Sequence, residues 1–93
     1  MIKSFADKET ESLFRTGKSR KLPSEILRRA LLRLNQLEHA ASVDELRFPP
    51  ANRLESLVGD RGGQWSIRIN AQWRLCFRFL NGDVFDTQIT DYH

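Results

Sequence analysis

The sequence predicts a single two-layer α+β domain, in which two N-terminal helices pack on one face of an antiparallel sheet. Ninety-three residues provide one hydrophobic core and no second one, so the domain is expected to span residues 1–93. Apolar residues recur at helical spacing in the first half of the chain, and from Gln64 onward they alternate with polar residues. The helices therefore come first along the chain and the strands second.

The two helices are marked by their ends as well as by their spacing. Asp7 is a suitable N-cap for the first helix, and Gly17 ends it. The second helix opens at Pro23-Ser24 and continues to about His39, because leucines and an alanine repeat on one side of it. Each helix thus offers one apolar face to the sheet.

The segments around the helices carry weaker signals. The opening "IKSF" suits a short edge strand, and "SVDELRF" suits one helical turn. The connection "PPANRLESLVGDRGG" is predicted to hold at most one brief strand, at 54–57. A connection of this length is uncommon in a compact domain and is usually functional.

The first predicted hairpin lies between residues 64 and 80. A three-residue loop at 70–72 pairs Arg68 with Arg74 and keeps the apolar side chains of both strands on one face. A two-residue loop would instead pair core residues with arginines. The three-residue loop is therefore the prediction.

The second hairpin is predicted by the same reasoning. A three-residue loop at 81–83 would place Phe79 opposite Phe85 and Leu75 opposite Ile89. The helices cover one face of the resulting meander. Its other face stays polar and open.

The composition excludes several classes of protein. Apolar residues make up 40% of the chain and charged residues 29%, which is typical of globular domains. No apolar run approaches the roughly 18 residues of a membrane span, and the amino end lacks the pattern of a secretory signal. These features predict a cytoplasmic protein with no membrane association.

The residues that bind metals and cofactors are sparse. The chain has two histidines and one cysteine, which do not occur at ligand spacing. The glycine-rich "GDRGG" lacks the lysine and hydroxyl residue of a phosphate-binding loop. Cys76 lies in an apolar run and is interpreted as a core residue. No metal site and no cofactor are predicted.

Positive charge is concentrated in and before the second helix. Between residues 14 and 34 there are seven cations and one anion, and eleven of the fifteen cations of the whole chain are arginine. The planar guanidinium group suits bidentate contact with phosphate. A polyanionic partner is therefore expected, and nucleic acid is preferred to a membrane surface.

The polar face of the predicted sheet gathers residues suited to cleaving RNA. Strand register places Arg68, Arg74 and Tyr92 on this face, with Asp91 and His93 where the last strand ends. Cleavage without a metal needs a base for the ribose 2′-hydroxyl, cations beside the phosphorane and an acid for the leaving oxygen. From the residues alone two interpretations stay open, a ribonuclease site or a solvated chain end.

Longer motifs favour the first interpretation. The chain carries "LFRTGK", then "NRLESL.GDR..QWSIRIN.QWR.CF", and ends in "DYH". In these motifs, and over nearly its whole length, it resembles HigB-type toxins of the RelE/ParE superfamily. The resemblance implies the RelE-like fold, with a curved, mainly antiparallel sheet. It also implies a type II toxin that cleaves mRNA in the ribosomal A site and inhibits translation and growth.

The resemblance also implies partners. The expected partners are a HigA-type antitoxin with a helix-turn-helix domain, the ribosome and mRNA. Operator DNA would be reached only through the antitoxin.

The motif positions, the polar face and the charge pattern together suggest roles for several groups of residues. By motif position the catalytic residues are Arg74, Asp91, Tyr92 and His93. Three further arginines are expected to bind RNA phosphates, namely Arg53, Arg61 and Arg68. Cations in and before the second helix are expected to dock on the ribosome, namely Arg20, Lys21, Arg28, Arg29 and Arg33.

One position departs from the better-known branch of this family. A catalytic histidine there follows the leucine of the motif that reads "RLESL" here, and this chain has Glu55 instead. The lysine often found three positions later is Val58. A carboxylate can act as a base but also repels phosphate, so a milder ribonuclease is expected, with either Glu55 or the "DYH" end as the base. The alternatives are a non-cleaving, ParE-like gyrase poison and a catalytically weak RNA-binding regulator.

Overall fold

A computed structural model describes residues 1–92 of the chain. Two helices precede four strands, with the bounds α1 (Lys8–Thr16), α2 (Leu27–His39), β1 (Glu55–Ser56), β2 (Trp65–Arg68), β3 (Trp73–Leu80) and β4 (Asp83–Asp91). The strands form one antiparallel sheet in the order β1-β2-β3-β4. The predicted α+β class is confirmed. Within the described range, no helix has the length and apolar character needed to cross a membrane.

The helix ends follow the predicted capping. The Asp7 side chain accepts a hydrogen bond of 2.7 Å from the N–H of Thr10, which satisfies one of the free donors of the first turn of α1. Gly17 has a φ of 76° and donates its N–H to the carbonyl of Leu13, a conformation that glycine adopts without a Cβ clash. A 3₁₀ turn, Ser24–Ile26, leads directly into α2.

The core lies between the two helices and one face of the sheet. It includes buried aliphatic and aromatic side chains of α1, α2, β2, β3 and β4, namely Leu13, Leu34, Leu37, Ile67, Leu75, Phe77 and Ile89. Each buried side chain of this size contributes about 1.5–3 kcal/mol relative to its exposed state. Burying these residues leaves the opposite face of the sheet to polar and charged groups.

The first hairpin has the predicted register. Arg68 pairs with Arg74, and Ile67 pairs with Leu75. The loop between the strands is held by Asn70, whose side-chain oxygen accepts the N–H groups of residues 72 and 73 at 2.8 Å each. The three-residue loop is confirmed, and the two arginines face each other across β2 and β3.

The second hairpin differs from its prediction. Its turn has two residues, Asn81 and Gly82, rather than three, and both have positive φ values, 52° and 84°. Positive φ at both positions is the requirement of the type I′ turn, whose twist matches that of the flanking strands. As a result Phe79 pairs with Val84 and not with the predicted Phe85.

A β-bulge restores the predicted register further along this hairpin. The pairing shifts between Cys76 and Arg78, and on the opposite strand Asp86 has a positive φ of 53°. The extra residue of the bulge compensates for the shorter turn. Beyond it Leu75 pairs with Ile89 as predicted, so the polar face around Arg74 keeps its expected neighbours.

The opening segment lies along the outer edge of β4. Ile2 bridges to Val84 and Phe5 bridges to Thr87, both in parallel orientation. These two isolated bridges confirm the predicted edge position, although the segment forms no continuous strand.

The long connection is anchored to α2. It contains two 3₁₀ turns, Pro50–Asn52 before β1 and Gly59–Arg61 after it. The helical turn predicted for "SVDELRF" precedes the connection, at Val43–Arg47. The buried side-chain amide of Asn52 donates to the carbonyl of residue 46 at 3.1 Å and to the side chain of Gln36 at 2.9 Å. This anchor brings β1 beside the polar face of the sheet.

Candidate functional site

A cleft of about 300 Å³ lies on the polar face of the sheet, where the connection passes β2 and β3. We call it the sheet cleft, and its lining residues are Arg53, Glu55, Arg68, Asn70, Ala71, Arg74 and Tyr92. Five of them are residues predicted for the site. Three arginines against one carboxylate make the cleft suited to an anionic ligand.

Arg74 is the fixed element of the sheet cleft. Only 8% of the residue is exposed, and a buried guanidinium must be hydrogen-bonded. Its Nε donates to the hydroxyl of Ser66 at 2.8 Å, and its Nη2 donates to the carbonyl of Arg53 at 2.6 Å. These bonds hold the planar group in one orientation at the floor of the cleft.

Glu55 reaches the sheet cleft from the edge strand β1. Glu55 pairs with Ser66 of β2, and its Oε1 lies 3.8 Å from Nη2 of Arg74. The side chain remains 56% exposed, so this long ion pair contributes little stability. The carboxylate therefore stands beside the fixed guanidinium and is open to solvent and to a ligand.

Tyr92 closes the cleft at the end of β4. Its ring centroid lies 5.9 Å from Cζ of Arg74, within the range of a cation–π contact. The backbone N–H of Tyr92 donates to the carbonyl of Gln72 at 2.7 Å. The backbone is thus held while the ring, in a residue 40% exposed, can receive a base on its free surface.

The structure does not bring Asp91 into the sheet cleft. The last strand continues through Asp91, which pairs with Trp73. Because successive side chains of a strand point to alternate faces, Asp91 points away from the face that carries Thr90. Its Oδ2 accepts a hydrogen bond of 3.1 Å from the Gln72 side chain. Asp91, although predicted for the site, is therefore not among the lining residues of the sheet cleft. His93 lies outside the described residues.

The arginines expected to bind phosphate divide into two groups. Arg53 and Arg68 line the sheet cleft. Arg61 does not, because its guanidinium donates to the side chains of Gln64 at 3.3 Å and Gln88 at 3.5 Å. It therefore lies beside the cleft, further along the same polar face.

A second cleft, of about 500 Å³, lies between α2 and the first hairpin. We call it the helix cleft, and its lining residues are Arg29, Arg33, Ala51, Arg68, Ile69, Asn70 and Ala71. Two of the cations expected to dock on the ribosome are thus placed next to the sheet cleft. Arg28 is exposed on α2 and lines neither cleft.

Arg33 is held in the helix cleft. Its Nε donates to the backbone carbonyl of Arg68 at 3.0 Å. Burial, and to a smaller extent the like charge of Arg29, lower the pKa of Arg33 from its ordinary value, while the guanidinium stays protonated. Both causes disfavour the isolated cation, and the attraction of a bound anion would offset their effect.

A larger cavity lies elsewhere, between α1 and the loop that follows it. This α1 cavity has a volume of about 590 Å³ and is lined by Glu9, Ser12, Gly17, Lys18, Ser19, Arg20 and Leu27. Glu9 Oε1 accepts hydrogen bonds from the Ser19 hydroxyl at 2.7 Å and from the N–H of Lys21 at 3.3 Å. These bonds, that from Ser19 foremost, lower the pKa of Glu9. The structure therefore places Arg20 and Lys21 at α1, not at the sheet cleft.

Two residues of the site were missed by sequence reasoning. Ser66 is fully buried and orients Arg74, and Asn70 lines both clefts. A signal for Ser66 existed, because it alternates in phase with Arg68 along β2 and is therefore on the predicted polar face. A small polar residue beside two arginines on an open face is a candidate hydrogen-bond acceptor for one of their guanidinium groups.

The sheet cleft thus combines a fixed cation, a solvent-accessible carboxylate and an aromatic ring. Such a set can bind a phosphate, accept a proton and stack a base. Among residues 1–92 no group of three or more histidine, cysteine, aspartate or glutamate side chains is arranged to hold a metal ion.

Known proteins resemble this chain over its whole length. It is 39% identical to "Endoribonuclease HigB" of Proteus vulgaris over 93 residues, which is 100% of both chains. It is 37% identical to "Toxin HigB-1" of Vibrio cholerae over 90 residues, covering 96% of this chain and 95% of the relative.

Solved structures show the same fold at lower identity. A crystal structure of a YafQ mutant from E. coli matches 98% of this chain and 91% of its own, with a TM-score of 0.66 at 11% identity. The YoeB/ParE toxin from Agrobacterium tumefaciens matches with a TM-score of 0.51 at 21% identity, over 99% and 96% of the two chains. The family of HigB-like toxins, described as "RelE-like toxin of type II toxin-antitoxin system HigB", matches residues 3–93. The chain therefore belongs to the HigB-like family of RelE-like toxins of type II toxin-antitoxin systems.

Proposed function

We propose that this toxin is a metal-independent endoribonuclease that cleaves translated mRNA in the ribosomal A site and so inhibits translation and growth. The observation that carries the proposal is the fixed guanidinium of Arg74 beside Glu55 and Tyr92 in an open, cationic cleft. The endoribonuclease name of a full-length relative supports the same activity.

Arg74 stabilises the charge that develops on the phosphorane. Its bonds to Ser66 and to the carbonyl of Arg53 orient the group before the substrate arrives. A preorganised charge of this kind need not reorganise during the reaction, and one such donor contributes about 10²–10³-fold in rate. Arg68 adds positive potential from the neighbouring strand.

Glu55 is the general base that the cleft offers. It takes the proton of the ribose 2′-hydroxyl, whose oxygen attacks the adjacent phosphorus, and the 5′-oxygen leaves with a proton from the acid. The chain-terminal motif supplies the acid, and His93, a catalytic residue by motif position, is the residue to which this proposal gives that role. Asp91 is also assigned by motif position, and its bond to Gln72 supports a role in ordering the chain end. The repulsion between the carboxylate and phosphate is offset by the three arginines of the cleft.

Tyr92 holds a base of the substrate. Its ring already lies against the guanidinium of Arg74 and keeps an exposed surface. Stacking on an aromatic ring is the usual way in which proteins hold unpaired RNA bases. A stacked base next to Arg74 fixes which phosphate faces the guanidinium.

The ribosome supplies the positioning that a small cleft lacks. Holding reacting groups in line contributes about 7–11 kcal/mol to lowering a barrier. The exposed cations outside the sheet and helix clefts, Arg20, Lys21 and Arg28, dock on ribosomal RNA. Such a protein acts in the cytoplasm.

Membership of a toxin-antitoxin family implies an antitoxin as the partner of this chain. We propose a HigA-type antitoxin with a helix-turn-helix domain. The toxin then reaches operator DNA only through that domain.

Primer extension on mRNA after induction of the toxin tests the proposal. New 5′ ends are expected inside reading frames, and they should vanish from a transcript whose start codon has been changed so that it is not translated. Growth arrest without new 5′ ends would contradict cleavage and would favour a non-cleaving poison of DNA gyrase.

A further inference from the structure

The sheet cleft and the helix cleft are neighbours on the surface of the domain. Arg68, Asn70 and Ala71 line both of them, so the two clefts adjoin at these residues. An RNA strand whose scissile phosphate lies at Arg74 must continue beyond the sheet cleft. The helix cleft, with a volume of about 500 Å³, can hold the next part of the RNA strand.

The helix cleft has uncompensated positive charge. Its lining residues include three arginines and no carboxylate. Among residues 1–92, the ion pairs of the structure do not engage Arg29, Arg33 or Arg68. Three guanidinium groups around one cleft repel one another, and an anion placed between them removes that repulsion.

The arginines of the helix cleft are also oriented. Arg33 is fixed by its bond to the backbone carbonyl of Arg68, so it is tied to the strand that carries the arginine shared by the two clefts. The guanidinium fork matches the geometry of a phosphate, which it can bind through two parallel hydrogen bonds. The helix cleft thus places a second phosphate-binding element beside the sheet cleft.

We propose that the helix cleft binds a phosphate of the substrate RNA strand next to the scissile phosphate, with Arg29 and Arg33 as its ligands. This proposal rests on the proposed function. It separates the arginines of α2 by role, since Arg29 and Arg33 line the helix cleft whereas Arg28 is exposed outside it. Arg28 contacts ribosomal RNA, and the other two hold the substrate.

The position of the helix cleft beside the sheet cleft favours the substrate strand over ribosomal RNA as the source of this phosphate. Arg68 lines both clefts, so a strand that passes Arg68 can place one phosphate at Arg74 and a neighbouring one between Arg29 and Arg33. Loss of the contact to this second phosphate should mainly weaken substrate binding, because the contact is made equally in the ground state and in the transition state. We expect the Arg29→Gln/Arg33→Gln double variant to raise KM about tenfold and to change kcat much less.

The decisive experiment removes single charges from the RNA. Ribosomes are programmed with mRNAs that carry a neutral methylphosphonate at one phosphate near the cleavage point, and kcat/KM is measured for each. In the unmodified toxin, one position beside the scissile phosphate should lower kcat/KM about tenfold. In the double variant the same methylphosphonate should have no further effect, because its partner is gone.

Two outcomes would overturn the proposal. Losses that add at every position would show that Arg29 and Arg33 do not contact the substrate strand. Weaker binding of the double variant to ribosomes without mRNA would assign these arginines to ribosomal RNA. Failure of the unmodified toxin to cleave the all-phosphate mRNA would instead contradict the proposed function itself.

Matched variants control for charge and for folding. Arg47→Gln removes one cation that pairs with Asp44 outside both clefts, and it should retain the full methylphosphonate effect. Arg28→Gln should weaken binding to empty ribosomes and also retain that effect. If the double variant does not fold, Arg29→Gln alone changes an exposed side chain and tests the same coupling.

Discussion

The sheet cleft and the α1 cavity differ in how their charges are used. The α1 cavity is the larger, at about 590 Å³ against about 300 Å³, yet its carboxylate already accepts hydrogen bonds from Ser19 and Lys21. In the sheet cleft the carboxylate of Glu55 is 3.8 Å from Arg74 and more than half exposed. Volume therefore does not locate the site of this protein.

The difference lies in what each set of polar groups is bonded to. Around α1 the polar groups bond one another and complete the loop after the helix, which is a structural task. In the sheet cleft only Arg74 is fixed by the protein, and the neighbouring charges are left for a ligand. Unsatisfied charge beside one rigid cation identifies a site better than space does.

Replacing the rigid cation gives the largest expected effect. Arg74→Ala should lower kcat/KM for ribosome-bound mRNA about 10²–10³-fold, because the phosphorane loses its oriented charge. Lys18→Gln removes a cation from the α1 cavity and should leave cleavage unchanged. Both rates are measured on programmed ribosomes.

Folding must be monitored for that variant, since Arg74 is buried. Arg74→Lys keeps the charge but not the planar fork that bonds Ser66 and Arg53. It should recover only a small part of the rate. Full recovery in Arg74→Lys would show that charge alone, without orientation, explains the contribution of this position.

Removing the carboxylate of each site gives the next effect. Glu55→Gln keeps the shape of the side chain, and it should lower kcat about 10²-fold because the general base is lost. It should also lower KM, since the repulsion of phosphate disappears. The matched change Glu9→Gln should leave both constants unchanged. An unaltered kcat in Glu55→Gln would remove Glu55 from the catalytic residues.

Ser66→Ala tests the orientation of Arg74 with a smaller change. The buried Nε of Arg74 would lose its 2.8 Å partner, which should reduce the free energy of unfolding by about 1–3 kcal/mol. Urea unfolding measures this loss. In the folded fraction kcat should fall about tenfold with little change in KM, since orientation acts in the transition state. A change in stability with no change in kcat would limit Ser66 to a structural role.

The smallest effect concerns Glu9 and the pH dependence of stability. The hydrogen bonds to Glu9 lower its pKa in the folded state from the ordinary 4.5, so the folded protein favours the ionised form. The resulting stability is fully present above the ordinary pKa of glutamate and is lost as the pH falls through the lower folded pKa. Glu9→Gln should be less stable than the unmodified protein near pH 7, by thermal unfolding. An equal difference at all pH values would contradict this linkage.

The sequence predicted the elements of the fold because each carries its own local signal. The cap at Asp7, the stop at Gly17 and the alternation after Gln64 are read within a few residues. The turn of the second hairpin was predicted wrongly because the register argument counted core residues and gave too little weight to Asn81-Gly82, the preferred pair of a type I′ turn. The bulge at Asp86 then reconciled the tight turn with the buried face.

The site was predicted in part. The positions of three site residues were predicted by the alternation of side chains along a strand, namely Arg68, Arg74 and Tyr92. This alternation has a period of two and is kept in the structure. The approach of Glu55 depends on the path of a long connection, and that path is set by the bonds of Asn52 to Gln36 of α2 and to the carbonyl of Leu46. Such long-range anchors leave no periodic pattern in a sequence. Asp91 was assigned to the site by motif position, whereas the strand alternation that brings Tyr92 to the polar face directs Asp91 to the other face.

The opening segment has a consequence for aggregation. An uncovered strand edge presents unpaired N–H and carbonyl groups that can recruit a strand of another molecule. Between Val84 and Thr87 of β4 these groups are occupied by the segment that bridges Ile2 to Val84 and Phe5 to Thr87, and the other edge strand, β1, has only two residues. The opening segment thus shields this part of the β4 edge, which disfavours pairing there between copies of a toxin released from its antitoxin.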